Sequence, residues 1–216
     1  MTLATDLRPG IMMIPVLESD DLEVVAFTLD AEPEVIHALG DCLNEAEWQR
    51  AAELRLERDR RRFIATRGQL RHVLASRIGI PPSKIDLEYG RLGKPFLSPR
   101  TPGRALHFSV SRSEDVAVIA LSATREVGVD IEALRPLPEA DDIAALCFSA
   151  PEQELYRNLV PEERLLAFFR SWTRLEAVSK ALGCGLGSEI NPDERDFTIT
   201  AIAPKPGYVG TVVVRN

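Results

Sequence analysis

The chain has 216 residues, 45% of them hydrophobic and 27% charged, and a formal net charge of −7. That length holds one large domain or two small ones, and the composition is that of a globular protein. The negative balance argues against nucleic acid as a bulk partner, and apolar runs such as Val116 to Leu121 are too short to span a membrane.

The acidic N-terminus has no basic region before its short apolar patch, so no signal peptide is predicted. Cys42, Cys147 and Cys184 are scattered and odd in number. They read as reduced structural thiols in a cytoplasm, not as a disulfide frame or a zinc site.

In chain order, residues 1 to 15 read as a loose leader and Leu22 to Leu29 as a strand. Asn44 with Glu47 three residues on predicts a capping box opening a helix. Arg60 to Ile78 reads as a second helix, with Phe63, Ile64, Leu70, Val73 and Leu74 inward and its arginines outward. Gly79 and the Pro81-Pro82 pair stop it. From Arg50 to Arg77 nine arginines face three acids, a local excess opposite in sign to the whole chain. Ile85 to Tyr89 predicts a short strand and Gly90 to Leu97 a loop. Leu106 to Ser111, Val116 to Ser122 and Val127 to Glu132 read as strands, the last two as a hairpin. A Pro-rich acidic loop over 133–142 precedes helices at 151–158 and 161–182, the latter ended by Gly183 and Gly185. The tail, Phe197 to Val214, holds two short strands. This order predicts an α+β fold of two similar halves, joined near residues 122–127.

Three carboxylates carry the chemistry. In a strand, side chains two apart share a face, so Asp130 and Glu132 of Gly128-Val129-Asp130-Ile131-Glu132 point one way and Val129 and Ile131 the other. Oxygen-only acidic ligands suit magnesium, which substrate phosphates usually complete; the bland alternative is a solvated strand face. Glu176 and Lys180 lie four apart on one helical face. They read either as a surface ion pair or, beside the apolar stripe of Phe168, Phe169, Trp172 and Leu175, as part of a site at the core edge. Gly93-Lys94-Pro95 offers backbone N–H groups and an ammonium to an anion. Ser109, Ser111 and Ser113, with Arg112 among them, offer the same at a strand end, or simply form a turn.

Taken together, these segments resemble the Sfp-type 4′-phosphopantetheinyl transferases. The resemblance rests on Arg62-Phe63 with Arg67 and Arg71, on Gly93-Lys94-Pro95, and on Leu106-His107-Phe108-Ser109-Val110-Ser111-Arg112-Ser113. It continues through Val127 to Glu132, Trp172-Thr173-Arg174-Leu175-Glu176-Ala177-Val178-Ser179-Lys180, Gly183 to Leu186 and Pro206-Gly207-Tyr208. It covers roughly residues 20 to 210.

The resemblance implies a pseudo-twofold pair of α+β lobes, an N-terminal one over 17–122 and a C-terminal one over 123–216, with coenzyme A in the cleft between them. It implies transfer of the phosphopantetheine arm of coenzyme A to a serine of an acyl or peptidyl carrier protein, with release of 3′,5′-ADP. Asp130, Glu132 and Glu176 fall on the family's Mg2+ ligands, and Glu176 also on the base for the carrier serine, directly or through a water. Lys180 falls on the lysine that contacts the coenzyme A phosphates, and Lys94 and Pro95 on the loop at its nucleotide end. Ser111 and Arg112 fall on the strand motif whose cation meets the 3′-phosphate. Arg60 and Arg67 are the candidates for further phosphate contacts on the arginine helix. A monomer, with neither nucleic acid nor membrane as partner, is the expectation.

Three departures stand out. Arg112 replaces the family's histidine, Ser109 its asparagine, and Leu175 the lysine before the helix glutamate. Two other readings remain: a coenzyme A or carrier-protein binding relative without turnover, and a magnesium-dependent nuclease or phosphatase with a basic nucleic-acid-binding helix.

Overall fold

The structure, a computed structural model, describes residues 13–19, 21–102, 105–185 and 194–216. The predicted leader up to residue 12 and Leu186 of the glycine segment lie outside them. Among the described residues the fold is mixed α+β, with six α-helices and three sheets.

The first half opens with strands β1 (Ile14–Glu18) and β2 (Leu22–Thr28). Helices α1 (Pro33–Gly40), α2 (Glu45–Ala52) and α3 (Glu57–Ile78) follow. A small hairpin of β3 (Leu87–Tyr89) and β4 (Pro95–Leu97) leads into β5 (His107–Ser113) and β6 (Val116–Ser122). The antiparallel order is β1-β2-β6-β5. The second half holds β7 (Val127–Ala133), α4 (Ala140–Cys147), α5 (Ala150–Arg157), α6 (Pro161–Leu182), β8 (Phe197–Ile202) and β9 (Tyr208–Arg215). Its sheet runs β7-β9-β8.

Alternation along the strands builds four layers. One face of the first sheet (Val25, Phe27, Ile119 and Leu121 among others) packs against Ile64, Leu70 and Leu74 of α3. The opposite face (Val24, Ala26, Val116, Val118) packs against Val127, Val129, Ile131 and Val212 of the second sheet. On the far side of that sheet lies α6, through Ala177, Val178 and Ala181. The prediction that Val129 and Ile131 turn into a core while the two acids face away therefore holds.

The capping box at Asn44 is present: its side chain accepts from Glu47 N–H, and Glu47 accepts from Asn44 N–H. Four expectations need correction. The loop over 90–97 contains β4, paired to β3. Strand β1, which takes in Ile14 and Pro15 of the predicted leader, and helices α1 and α4 add elements to the predicted order. Val116–Ser122 and Val127–Ala133 do not form a hairpin, because both edges of β6 are already occupied by β2 and β5. The arginines of α3 do not all face outward. Arg71 is 1% exposed, bonded at 2.8 Å to buried Glu47 and at 2.7 Å to the Ile85 carbonyl. Those partners hold α2 and the segment before β3 against the long helix, and removing either charge of such a buried pair costs about 3–5 kcal/mol.

The turn between β6 and β7, where the chain passes from one sheet to the other, is fastened by Asp21. Its carboxylate accepts from Ser122 Oγ, Ala123 N–H, Thr124 Oγ1 and Arg125 Nε, all at 2.8–3.0 Å. Above all the Thr124 hydroxyl, against the cost of desolvation, holds this carboxyl down at about 2. A depressed carboxyl stabilises the fold above its unfolded value, and that share is lost as pH falls through its folded value. Asp21→Asn is thus expected to melt roughly 2–4 °C below the parent at pH 7. The gap should close between pH 4 and pH 2; thermal melts at pH 7, 4 and 2.5 check this.

Candidate active site

The site forms where α6 lies across the face of β7 that bears Gly128, Asp130 and Glu132. A Cβ at position 128 would fall 1.9 Å from the Ala177 carbonyl oxygen and 2.5 Å from the Ala181 nitrogen. Only glycine there lets the helix backbone come so near the strand. The helix is also fixed to β9 by the Thr173 and Thr211 hydroxyls, 3.1 Å apart. Its residues one turn apart, Thr173, Glu176 with Ala177, and Lys180 with Ala181, therefore meet the sheet in register, and Gly183 (φ 67°) ends it in the left-handed conformation.

Lys180 pairs across to the strand. Its Nζ is 2.7 Å from Asp130 Oδ1, which the Ser111 hydroxyl also meets at 2.8 Å. The other oxygen, Asp130 Oδ2, is buried without a hydrogen-bond partner. Glu132 accepts from Ser113 Oγ at 2.7 Å. Burial pushes its carboxyl up, and Asp130's charge adds to this against the Ser113 bond. Glu176 is pushed up as well, by burial first and then by Asp130, with Lys180 opposing. Glu132 and Glu176 thus both resist ionisation, through burial first and then the neighbouring charge of Asp130. Among the described residues, no three His, Cys, Asp or Glu side chains converge closely enough to enclose a metal by themselves. An unpartnered buried oxygen between two acids that resist ionisation nevertheless fits a divalent cation completed by a ligand's own oxygens, the habit of magnesium.

A cavity of about 250 Å³ adjoins this corner, lined by Glu176, Ser179 and Lys180 of α6 and by Gly93, Lys94 and Pro95. The Gly-Lys-Pro loop and the helix thus line one cavity. The Lys94 ammonium is directed at Glu126 Oε2 (3.0 Å) and lies 3.4 Å from the Val127 carbonyl. The second oxygen of Glu126 meets His107 Nδ1 at 3.0 Å. Sequence reading overlooked Glu126 because its role exists only once the β3–β4 loop folds over the start of β7. A wider recess of about 470 Å³ continues from there, lined by Pro95, Phe96, Leu106, His107, Glu126 and Leu182.

The remaining candidates are placed as follows. Arg112 is exposed on β5, on the side opposite the serines. Desolvation pulls its guanidinium below the usual arginine range, opposed by Asp59 and assisted by Arg67 and Arg62. Arg67 lies over the rings of Phe63 and Tyr89. Arg62 is held by Asp30 at 2.6 Å. Arg60 turns to the end of α2, donating to the Ala51 and Leu54 carbonyls. Ser111 faces β7 and is spent on Asp130 and the Ile131 N–H. Leu175, half-buried, stands between Arg174, which pairs with Glu152 of α5, and Glu176.

The chain is 36% identical over 188 residues to the 4′-phosphopantetheinyl transferase HetI of Nostoc sp., covering 87% of this chain and 78% of HetI. The chain belongs to the 4′-phosphopantetheinyl transferase family. The family model described as the 4′-phosphopantetheinyl transferase superfamily matches residues 126–211, and that of the transferase N-terminal region matches 30–124. The L-aminoadipate-semialdehyde dehydrogenase-phosphopantetheinyl transferase of Xenopus laevis is 31% identical over 78% of this chain and 58% of its own length. The 4′-phosphopantetheinyl transferase AcpT of Escherichia coli O157:H7 is 37% identical over 57% of this chain and 58% of its own. The matches to these last two thus reach less than two thirds of the relatives' lengths. The family's N-terminal match ends, and its superfamily match begins, at the turn that Asp21 fastens. Among the described residues, no helix of this transferase family member is long and apolar enough to cross a membrane.

Proposed function

We propose that this chain transfers the 4′-phosphopantetheine arm of coenzyme A to a serine hydroxyl of an acyl or peptidyl carrier protein and releases 3′,5′-ADP. One observation carries the reading beyond family membership. Glu176 and Lys180 line a cavity bordered by the Gly93-Lys94-Pro95 loop, Lys180 is bonded to Asp130, and Glu176 feels the charges of Asp130 and Glu132. On this reading the cleft lies between an N-terminal lobe, 17–122, and a C-terminal lobe, 123–216.

Glu176 makes no hydrogen bond to another described residue, and its raised carboxyl suits it to take a proton. It accepts the carrier serine's proton as the serine oxygen bonds to the β-phosphorus of coenzyme A. The bond from that phosphorus to the bridging oxygen breaks, and 3′,5′-ADP leaves with the electron pair. Lys180, already at the acidic corner, offsets charge on the phosphates, and such fixed charges are the main lever in phosphoryl transfer. Arg112 and Arg67 supply cations for the 3′-phosphate, a task that arginine geometry suits. Lys94 and Pro95 border the nucleotide. Asp130, Glu132 and Glu176 would hold Mg2+, which when bound neutralises pyrophosphate charge.

The test is incubation of apo carrier proteins, the fatty acid carrier included, with coenzyme A and magnesium, read by the mass of the carrier. A gain equal to one phosphopantetheine supports the transferase. Leu175, in place of the family's lysine, favours a second reading, a binding relative without turnover. Coenzyme A binding with no mass added to any carrier would decide for it.

A further inference from the structure

Strands β5 and β7 lie side by side at the ends of their sheets, yet belong to different sheets. The Leu134 N–H donates to the Gly207 carbonyl, and the Arg215 N–H to that of Glu126. Even-numbered residues of β7 therefore bond to β9, and the odd-numbered N–H groups project from its free edge. Serine hydroxyls accept them at every second residue. Val129 N–H donates to Ser109 Oγ (3.1 Å), Ile131 N–H to Ser111 Oγ (3.3 Å) and Ala133 N–H to Ser113 Oγ (3.0 Å). Side-chain rungs join the two sheets where no backbone ladder does. Two rungs have a second bond: Ser111 Oγ donates to Asp130 Oδ1, and Ser113 Oγ to Glu132 Oε2. Each hydroxyl thus binds an acid and the amide of the next residue together. Ser109 has no acid opposite it, because position 128 is glycine.

We propose that Ser111 and Ser113 are positioning residues for the acidic corner, fixing Asp130 and Glu132 from the neighbouring sheet so that their remaining oxygens face the cation. This rests on the reading of that corner as a divalent-cation site. The Ser111 hydroxyl and the Lys180 ammonium both donate to Asp130 Oδ1, leaving Oδ2 for the ion. Ser109 carries the join between sheets without this second duty.

The difference between the rungs supplies the test. Mn2+ is titrated into the protein with coenzyme A present, free Mn2+ is read by electron paramagnetic resonance, and melting temperatures are recorded in parallel. Ser111→Ala and Ser113→Ala are expected to weaken Mn2+ binding by about 10-fold or more, as loss of a partner to a metal ligand does. Ser109→Ala is expected to lower the melting temperature as much while leaving Mn2+ affinity unchanged. Should an alanine variant fail to fold, Ser111→Cys or Ser113→Cys, which keep the branching and fill the space while weakening the donor, take its place. Equal losses of affinity at all three serines, or none at any, overturn the positioning role alone. Absence of Mn2+ binding by the parent protein overturns the cation site and this proposal with it.

Discussion

Glu176→Gln is expected to lower transfer to a carrier serine by at least about 10²–10⁴-fold, the range that a positioned base contributes. Coenzyme A should still bind, since Lys180 and the loop at Lys94 are untouched. Carrier mass and coenzyme A calorimetry measure the two effects separately, and appreciable residual turnover would remove Glu176 as the base. The parent's pH dependence follows from the same carboxyl. Burial first, and then the charge of Asp130, hold it above an ordinary glutamate. A base works only when deprotonated, so the rate rises with pH through that elevated value. A bound cation, favouring the charged form, would draw the midpoint downward.

Gly128→Ala is expected to be the most damaging single substitution for folding. Its added methyl would overlap backbone atoms of α6, the Ala177 carbonyl and the Ala181 amide. Trimming a neighbouring side chain cannot relieve such a clash, so the helix must move off the strand. The loss should reach about 4 kcal/mol or more, the level reserved for gross core faults. In a chain of this size that lowers the melting temperature by roughly 8–16 °C. Calorimetric melts check it; a variant within 3 °C of the parent would show that α6 yields easily.

These two residues also show what was legible in the sequence. Alternation in Val-Gly-Val-Asp-Ile-Glu was enough to place Asp130 and Glu132 on one face and Val129 and Ile131 in a core, because strand periodicity is local. The span of α6 and its glycine stop were legible for the same reason. Partnerships across the fold were not. Glu176 and Lys180 read as neighbours on a helix, but Lys180 reaches to Asp130. Lys94 gave no sign of its tie to Glu126, nor Arg71 that it would be buried, since each depends on an element distant in the chain. The pairing of β6 with β7 failed because closeness in sequence was taken for closeness in the sheet.

The serine rungs have a consequence for solubility. A strand at the end of a sheet exposes unpaired N–H and C=O groups and invites another chain to add on. Here β5 and β7, each the last strand of its sheet on that side, turn toward one another, and hydroxyls occupy the amides of β7. The other end of the first sheet, β1, carries Pro15 and a register irregularity between Pro15 and Leu17. Both features discourage edge-to-edge pairing. The chain therefore guards one edge with its own site-bearing strands and another with a proline, so alanine at all three serines should raise the tendency to aggregate as well as loosen the site.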